Sequence, residues 1–383
     1  MGESAIAARA PLGPGSRGRG WLGFARGEWF RLAGFYGCIA GLHVGGWGLF
    51  AWYAGDRPAL TGLGLAAYLF GLRHAFDADH IAAVDDTVRV MMQRGRRPLG
   101  VGFFFSLGHS SIVVGLAVAI VLSTASVSRA LPVLEQFGGV IGAGVSGTFL
   151  WLIGLLNLVV LRDILRAYGV ARSNHHDHTH VEELLQRRGF LNRLLGRRVQ
   201  AAIGHSWQMY PLGLLFGLGF DTASEVGLLA LSATASMGNV PVPAVLSLPI
   251  LFTAGMALMD TTDGVLMCKA YEWSFLNPAR RILYNLTTTS LSVAVALVIG
   301  TVELLQVLGR LLHLDGGLFR LLDDLYLGGL GYLVVGLLLL AWAISFIAWK
   351  LSGLEERHDP ARVPRVQEHA HVGGVHHSHR HFR

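Results

Sequence analysis

Charge is scarce in this chain. Of its 383 residues only 15% are Asp, Glu, Lys or Arg, where a soluble globular domain carries about 25%. Hydrophobic residues make up 52%, and the mean hydropathy is +0.48. The deficit excludes a water-facing surface over most of the molecule. Cysteine is nearly absent: Cys38 and Cys268 both fall inside apolar runs. That excludes a disulfide framework and a Cys-type zinc site, and leaves both as small core residues. There is no Gly-rich phosphate loop of the Walker type, so direct use of ATP is not expected. There is no His-Glu-x-x-His and no Ser/His/Asp order that suggests a hydrolase. What is plentiful is glycine, at 50 residues, which suits helices that approach each other closely in a membrane.

A bilayer core of about 30 Å needs roughly 20 apolar residues per helix. By that measure the fold class is all-α, a polytopic membrane protein with eight transmembrane helices. The spans are expected near 34–54, 60–83, 101–124, 138–161, 210–234, 245–268, 282–306 and 325–349, the second and fifth interrupted by polar residues. A first run that begins near Gly34, after a long Arg- and Gly-containing segment, fits a first span better than a cleaved signal peptide. The expected organisation is an N-terminal segment 1–33, an eight-helix domain 34–350 with a His/Arg-rich loop at 162–209, and a His-rich tail 351–383.

Positive charge collects on the cytoplasmic side of a membrane protein. Of the 31 Lys and Arg residues, 26 fall in the N-terminal segment, the loops after spans two, four and six, and the tail. The four alternate loops hold only Arg57, Arg129, Arg310 and Arg320, and Arg73 lies within span two. This asymmetry predicts both termini on the cytoplasmic side. It also accounts for the net charge of +6 and the pI near 9.6 without a nucleic-acid partner. Two His-rich tracts read as solvated segments or as loose metal buffers. One contains His175, His176, His178 and His180, and the other His369, His371, His376, His377, His379 and His381.

The informative residues are the polar ones inside the apolar runs. An Asp or Arg at a helix centre costs roughly 2.5–3.5 kcal/mol on the insertion scale, while a Leu returns only about 0.3–0.6. Span two nevertheless carries Arg73-His74-Ala75-Phe76-Asp77-Ala78-Asp79-His80. On a continuous helix, at roughly 100° per residue, His74, Asp77 and His80 share one arc, and Asp79 lies off it. Two imidazoles and a carboxylate on one face suit Ni²⁺, Co²⁺ or Zn²⁺. The carboxylate could instead orient an imidazole, and the whole group could be a hydrogen-bonded cluster that pins helices together. Arg73 reads as a counter-ion for one of the carboxylates, not as a ligand.

Span three carries His109, flanked by Ser106, Ser110 and Ser111, which can bond back to helix carbonyls. Spacing alone leaves His109 evenly poised between ligand and structural histidine. Span five carries Asp221 and Glu225 at i, i+4, and span six carries Asp260 and Asp263 at i, i+3. Intramembrane carboxylates of this kind bind a cation, carry protons, neutralise Arg73 or are simply protonated by burial. His43, in span one beside Gly45 and Gly46, is a weaker ligand candidate. A short echo links Phe76-Asp77-Ala78 with Phe220-Asp221-Thr222, in spans that run in opposite directions; it would suit an inverted repeat around a midplane site.

Four segments, in order, resemble the motifs of the nickel/cobalt transporter family. They are RHAFDADHI at Arg73–Ile81, LGHSSIV at Leu107–Val113, LGFDTASE at Leu218–Glu225 and GMALMDTTDG at Gly255–Gly264. The resemblance implies a high-affinity secondary transporter that takes up Ni²⁺ and/or Co²⁺ across the inner membrane, and not an enzyme. It implies that His74, Asp79 and His80 are essential to the metal site, and it gives functional weight to His109, Asp221, Glu225, Asp260 and Asp263. No prosthetic group is expected; Ni²⁺ or Co²⁺ is the substrate, the lipid bilayer the surroundings, and the resemblance leaves protein partners unspecified. The competing readings are a nickel/cobalt efflux permease, a membrane-embedded metalloenzyme with an open coordination position, and an anchor that works mainly through its His-rich tail.

Overall fold

The computed structural model describes residues 24–54, 58–93, 95–122, 124–173, 204–219, 223–237, 240–275, 278–314, 316–323 and 331–337. It also describes a few isolated positions up to 347 and the strands at 365–370 and 376–381. The His-rich stretch 175–180, the N-terminal residues 1–23, Asp221 and most of the expected eighth span lie outside the described residues.

The described body is helical. Its elements are α1 (Arg26–Ala54), α2 (Pro58–His74), α3 (Ala78–Gln93), α4 (Val101–Leu122), α5 (Thr124–Ser173), α6 (Met209–Phe216), α7 (Ala223–Met237), α8 (Val242–Phe275), α9 (Pro278–Leu312) and α10 (Gly317–Asp323). A short antiparallel ribbon, β1 (Arg365–Ala370) with β2 (His376–His381), pairs two parts of the His-rich tail. Four described segments are long and apolar enough to cross a membrane by length and composition: Val101–Leu122, Phe137–Val159, Val242–Glu272 and Leu286–Leu312. These correspond to the expected spans three, four, six and seven. Large apolar side chains such as Leu122, Leu266, Val298 and Leu311 stand exposed on their surfaces, as expected where the surrounding medium is hydrocarbon and not water.

The segment expected as span two is not one helix. The chain leaves α2 after His74, turns through Ala75–Asp77 and re-enters helix at Ala78. Short-range bonds close the turn: Phe76 N–H donates to the Arg73 carbonyl (3.0 Å) and Asp77 N–H to the His74 carbonyl (2.9 Å). Non-helical backbone at membrane depth is tolerated where it is buried in protein, and His74, Ala75 and Asp77 are buried. The expected fifth span is likewise in pieces, with α6, a single tight turn at Gly217–Gly219 and then α7.

The break also moves Arg89. Counted from sequence as a loop charge after span two, it lies in α3, which runs on to Gln93, and it is only 1% exposed. The reason is local: Asp85 and Asp86 precede it by four and three residues, so one helix face supplies its counter-charges.

Glycine lets the helices that carry the polar residues meet backbone to backbone. A side chain on Gly71 (α2) would collide with the Phe252 carbonyl of α8, one on Gly102 (α4) with the Asp260 carbonyl of α8, and one on Gly108 (α4) with the Tyr210 carbonyl of α6. Small residues at such crossings are the means by which apolar helices gain contact in lipid. At one end of the bundle, Arg97 pairs with Glu28 (2.6 Å) and with Glu272, which also binds Lys269 (3.0 Å). The start of α1, the segment between α3 and α4 and the end of α8 therefore meet in one ionic cluster. They are three of the regions that the charge asymmetry assigns to a common side.

Candidate metal centre

Three histidines from three elements converge. His74 closes α2, His80 lies in the first turn of α3, and His109 sits mid-way along α4. Each offers one ring nitrogen within 4.8 Å of the others, and all three are at most 3% exposed. The ring centroids form a near-equilateral triangle of 4.5 Å (His74–His80), 4.7 Å (His74–His109) and 4.8 Å (His80–His109). Phe252 against His74 and Phe105 against His80 give the triangle apolar walls.

Carboxylates ring the histidines. Asp77 Oδ2 lies 2.9 Å from His74 Nδ1, Asp260 Oδ2 lies 3.4 Å from His80 Nδ1, and Glu225 Oε1 lies 2.7 Å from His109 Nε2 and 3.9 Å from His74 Nε2. The His74 and His109 Nε2 atoms are 2.9 Å apart. His109 Nε2 thus has two heavy-atom partners at once, although one ring nitrogen carries at most one proton. Neither ring nitrogen of His80 makes a hydrogen bond among the described residues. A buried imidazole with no hydrogen-bond partner is costly. A cation among these atoms would satisfy them together: metal–imidazole bonds of about 2.0–2.1 Å place neighbouring ligands roughly 3.0–3.4 Å apart.

The helix break builds this geometry. The sequence reading put His74, Asp77 and His80 on the arc of a continuous helix. Instead the turn Ala75–Asp77 folds His80 back beside His74, and Asp77 faces the far nitrogen of the His74 ring. Asp79 accepts a hydrogen bond from the His80 backbone N–H (2.8 Å) in the first turn of α3, where a carboxylate also offsets the exposed N–H groups of the helix start. His109, evenly poised on spacing alone, is a full member of the triangle. Asp260 and Glu225 are also brought in. Asp263, one turn beyond Asp260 on α8, comes within electrostatic reach of both Asp260 and Asp85. Arg73 is half-buried on the last turn of α2, and its charge reaches Asp77. His43 is outside the triangle: its Nδ1 lies 2.8 Å from the Ile39 carbonyl and its Nε2 3.2 Å from the Tyr68 hydroxyl.

A second buried polar network escaped the sequence reading. Arg89 donates to Asp85 Oδ2 (3.2 Å), to the Thr289 (2.8 Å) and Ser292 (2.6 Å) hydroxyls, and to the Thr288 carbonyl (3.2 Å). Tyr271 donates to Asp85 Oδ1 (3.0 Å), and Asn157 to Asp86 Oδ1 (2.7 Å). The signal was present in Asp85-Asp86-x-x-Arg89, but it fell beyond the expected end of span two.

A bundle with apolar spans, an interrupted helix and a buried imidazole–carboxylate cluster at the interruption is the architecture of a membrane transporter for a cation. The family comparison agrees: residues 60–348 match the NicO family model, described as high-affinity nickel-transport protein, and the chain belongs to that family. It is 46% identical over 345 residues to the nickel transporter NicT of Mycobacterium tuberculosis, covering 87% of this chain and 92% of the relative. It is 48% identical over 317 residues to the nickel transporter NixA of Staphylococcus aureus, covering 82% and 93%. It is also 45% identical over 293 residues to the cobalt transport protein NhlF of Rhodococcus rhodochrous, covering 75% and 83%. No solved structure matches the chain. These relatives are transporters and not enzymes.

Proposed function

We propose that this chain is a high-affinity secondary transporter that brings Ni²⁺ or Co²⁺ inward across the inner membrane, with both termini on the cytoplasmic side and eight spans. His74, His80 and His109 bind the ion. Glu225 neutralises its charge, and Asp77 and Asp260 orient the His74 and His80 rings. The relatives, which are nickel and cobalt transporters, support nickel and cobalt as substrates. The observation that carries the reading is the crowding of His109 Nε2 by both His74 Nε2 and Glu225 Oε1.

Imidazole suits Ni²⁺ and Co²⁺ better than it suits the hard cations Mg²⁺ and Ca²⁺. An ion arriving at the triangle sheds water and exchanges it for ring nitrogens. Because the three histidines are buried from every side, binding and release need the surrounding helices to move. The discontinuity at Ala75–Asp77 supplies a place for that movement: a short turn absorbs backbone rotation that a continuous helix resists. The ionic cluster of Arg97, Glu28 and Glu272 groups three positively flanked segments at one end of the bundle, which supports placing those segments on one membrane face.

The test is accumulation of radioactive nickel by cells that express the wild type or His109→Ala at equal membrane levels. The reading expects near-background accumulation by the variant. Wild-type accumulation would remove His109 from the transport site.

A further inference from the structure

Six residues along α3 from His80 lies a second place where buried polar atoms lack hydrogen-bond partners among the described residues. Asp86 is 0% exposed. Its Oδ1 accepts from Asn157 Nδ2, but among the described residues its Oδ2 makes no hydrogen bond, and neither does Asn157 Oδ1. Asp86 also lines a small cavity together with Ile81, Ala82, Asp85, Ser292, Val295 and Val334. Unlike the histidine triangle, the polar lining here consists of oxygen donors only.

The local charge fixes what the cavity can take. Asp85 and Asp86 from α3 face the single guanidinium of Arg89, on the same helix, at 3.2 Å and 3.9 Å. Asp85 is further satisfied by Tyr271 from α8 and Ser292 from α9, so the Arg89 charge is committed chiefly to Asp85. Asp263 on α8 lies within electrostatic reach of Asp85. From α5 the facing group is the neutral Asn157. On α3 itself two carboxylates face one guanidinium, which leaves one negative charge in a buried setting, and the carboxylate whose second oxygen has no hydrogen-bond partner among the described residues is Asp86. Isolated buried charge is expensive, so such a group is paired, protonated or bound to a cation. Oxygen donors and a deficit of one positive charge select a monovalent hard cation or a proton, and they disfavour a second divalent transition metal.

We propose that the cavity beside Asp86 is the seat of a monovalent driving cation, a proton or a sodium ion, whose occupancy is coupled to the metal centre through α3. The inference rests on the transporter reading given above. The mechanical link is short: His80 and Asp86 are six residues apart on one helix, about 9 Å along its axis. That helix is hinged at Ala75–Asp77. Filling the cavity neutralises Asp86 and lets α3 settle against α5 and α9, and that motion repositions His80 relative to His74 and His109. Each ligand then biases the same two-state element, which is what coupling requires.

The test uses the purified full-length protein, with nickel binding measured in detergent and radioactive nickel uptake measured in liposomes. Uptake is compared under an inward proton gradient, an inward sodium gradient or neither, for the wild type, Asp86→Asn and Asn157→Ser. One of the two gradients is expected to stimulate wild-type uptake several-fold, which identifies the cation. Asp86→Asn, which lacks the charge the cation would neutralise, is expected to retain nickel binding, with the affinity shifted toward that of the cation-filled state, and to lose the stimulation. Asn157→Ser, which keeps the carboxylate and serves if Asp86→Asn does not fold, is expected to need a steeper gradient for the same uptake. Wild-type uptake that ignores both gradients overturns the proposal, as does stimulation that survives in Asp86→Asn. Abolition of nickel binding in Asp86→Asn would also overturn it, by making Asp86 part of the metal centre. Absence of nickel binding by the wild type would overturn the transporter reading itself, and the two failures are thereby told apart.

Discussion

His74 Nε2 and His109 Nε2 stand 2.9 Å apart, across the packing of α2 and α4 around α8, with Glu225 Oε1 2.7 Å from the second of them. Three heavy atoms with lone pairs lie closer together than one shared proton can satisfy.

The carboxylates behind the histidines should matter less than the histidines and more than surface residues. Partners that orient a ligating imidazole typically contribute about 10–100-fold in metal affinity. Asp260→Asn is therefore expected to weaken nickel binding within that range, with fold and membrane level unchanged. Equilibrium titration of nickel into purified protein reads it. An affinity equal to the wild type would show that the Asp260–His80 contact of 3.4 Å does not hold the ring.

The glycine crossings set how closely the helices approach. A Cβ on Gly102 would press into the Asp260 backbone carbonyl. Gly102→Val is expected to destabilise by the roughly 1–3 kcal/mol of an overpacked core and to displace Asp260 from His80. Thermal unfolding of the protein in detergent checks the first effect, and nickel titration the second. Gly115, with open space around its would-be Cβ, is the control: Gly115→Ala should change neither.

Arg89 is wholly buried and bonds to residues of α3 and α9. Removing one partner of a buried ion pair costs about 3–5 kcal/mol, because the other charge is left uncompensated. Arg89→Met should accumulate poorly, and pairing it with Asp85→Asn should restore part of the loss. Chemical unfolding midpoints of the single and double variants measure this. A double variant no better than Arg89→Met alone would show that the Asp85 charge is not what Arg89 offsets.

At the end of the bundle, partial burial disfavours the charged form of Glu28. The Arg97 guanidinium and the Ala25 backbone N–H outweigh that effect and hold the carboxyl below its ordinary value. A group whose folded-state pKa is lowered contributes stability above its unfolded pKa, about 4.3 for Glu, and loses it as pH falls through the folded value. Glu28→Gln should therefore be less stable than the wild type at neutral pH, and the two should converge as pH falls through the lowered folded-state value of Glu28. Thermal melts across that range decide it. A difference that persists at acid pH would assign the effect to packing and not to charge.

Much of this molecule is legible in its sequence. The apolar lengths of α4, α5, α8 and α9 announce themselves by hydropathy, and the charged or imidazole residues inside apolar runs stand out because their insertion is costly. The turn at Ala75–Asp77 is not legible in the same way. His74-Ala-Phe-Asp77-Ala-Asp-His80 contains neither Gly nor Pro, so local propensity allows a continuous helix. The break sits instead at tertiary contacts, with Gly331 against the Phe76 carbonyl and Gly71, just before the turn, against the Phe252 carbonyl. The burial of Arg89 was hidden for a related reason. A hydropathy window ends a span where charges begin, yet Asp85, Asp86 and Arg89 neutralise each other within one helix and continue inward. The choice among His43, His109 and the carboxylates depended on which helices touch, and periodicity within a single helix does not contain that information.

X-ray absorption at the nickel edge of the metal-loaded protein tests the central claim most directly. Three imidazoles converging on one ion should give a first shell rich in nitrogen, with the outer-shell scattering of rigid rings, and that scattering should fall by about one ring in His109→Ala. A shell of oxygen alone, or ring scattering unchanged by the substitution, would contradict the account.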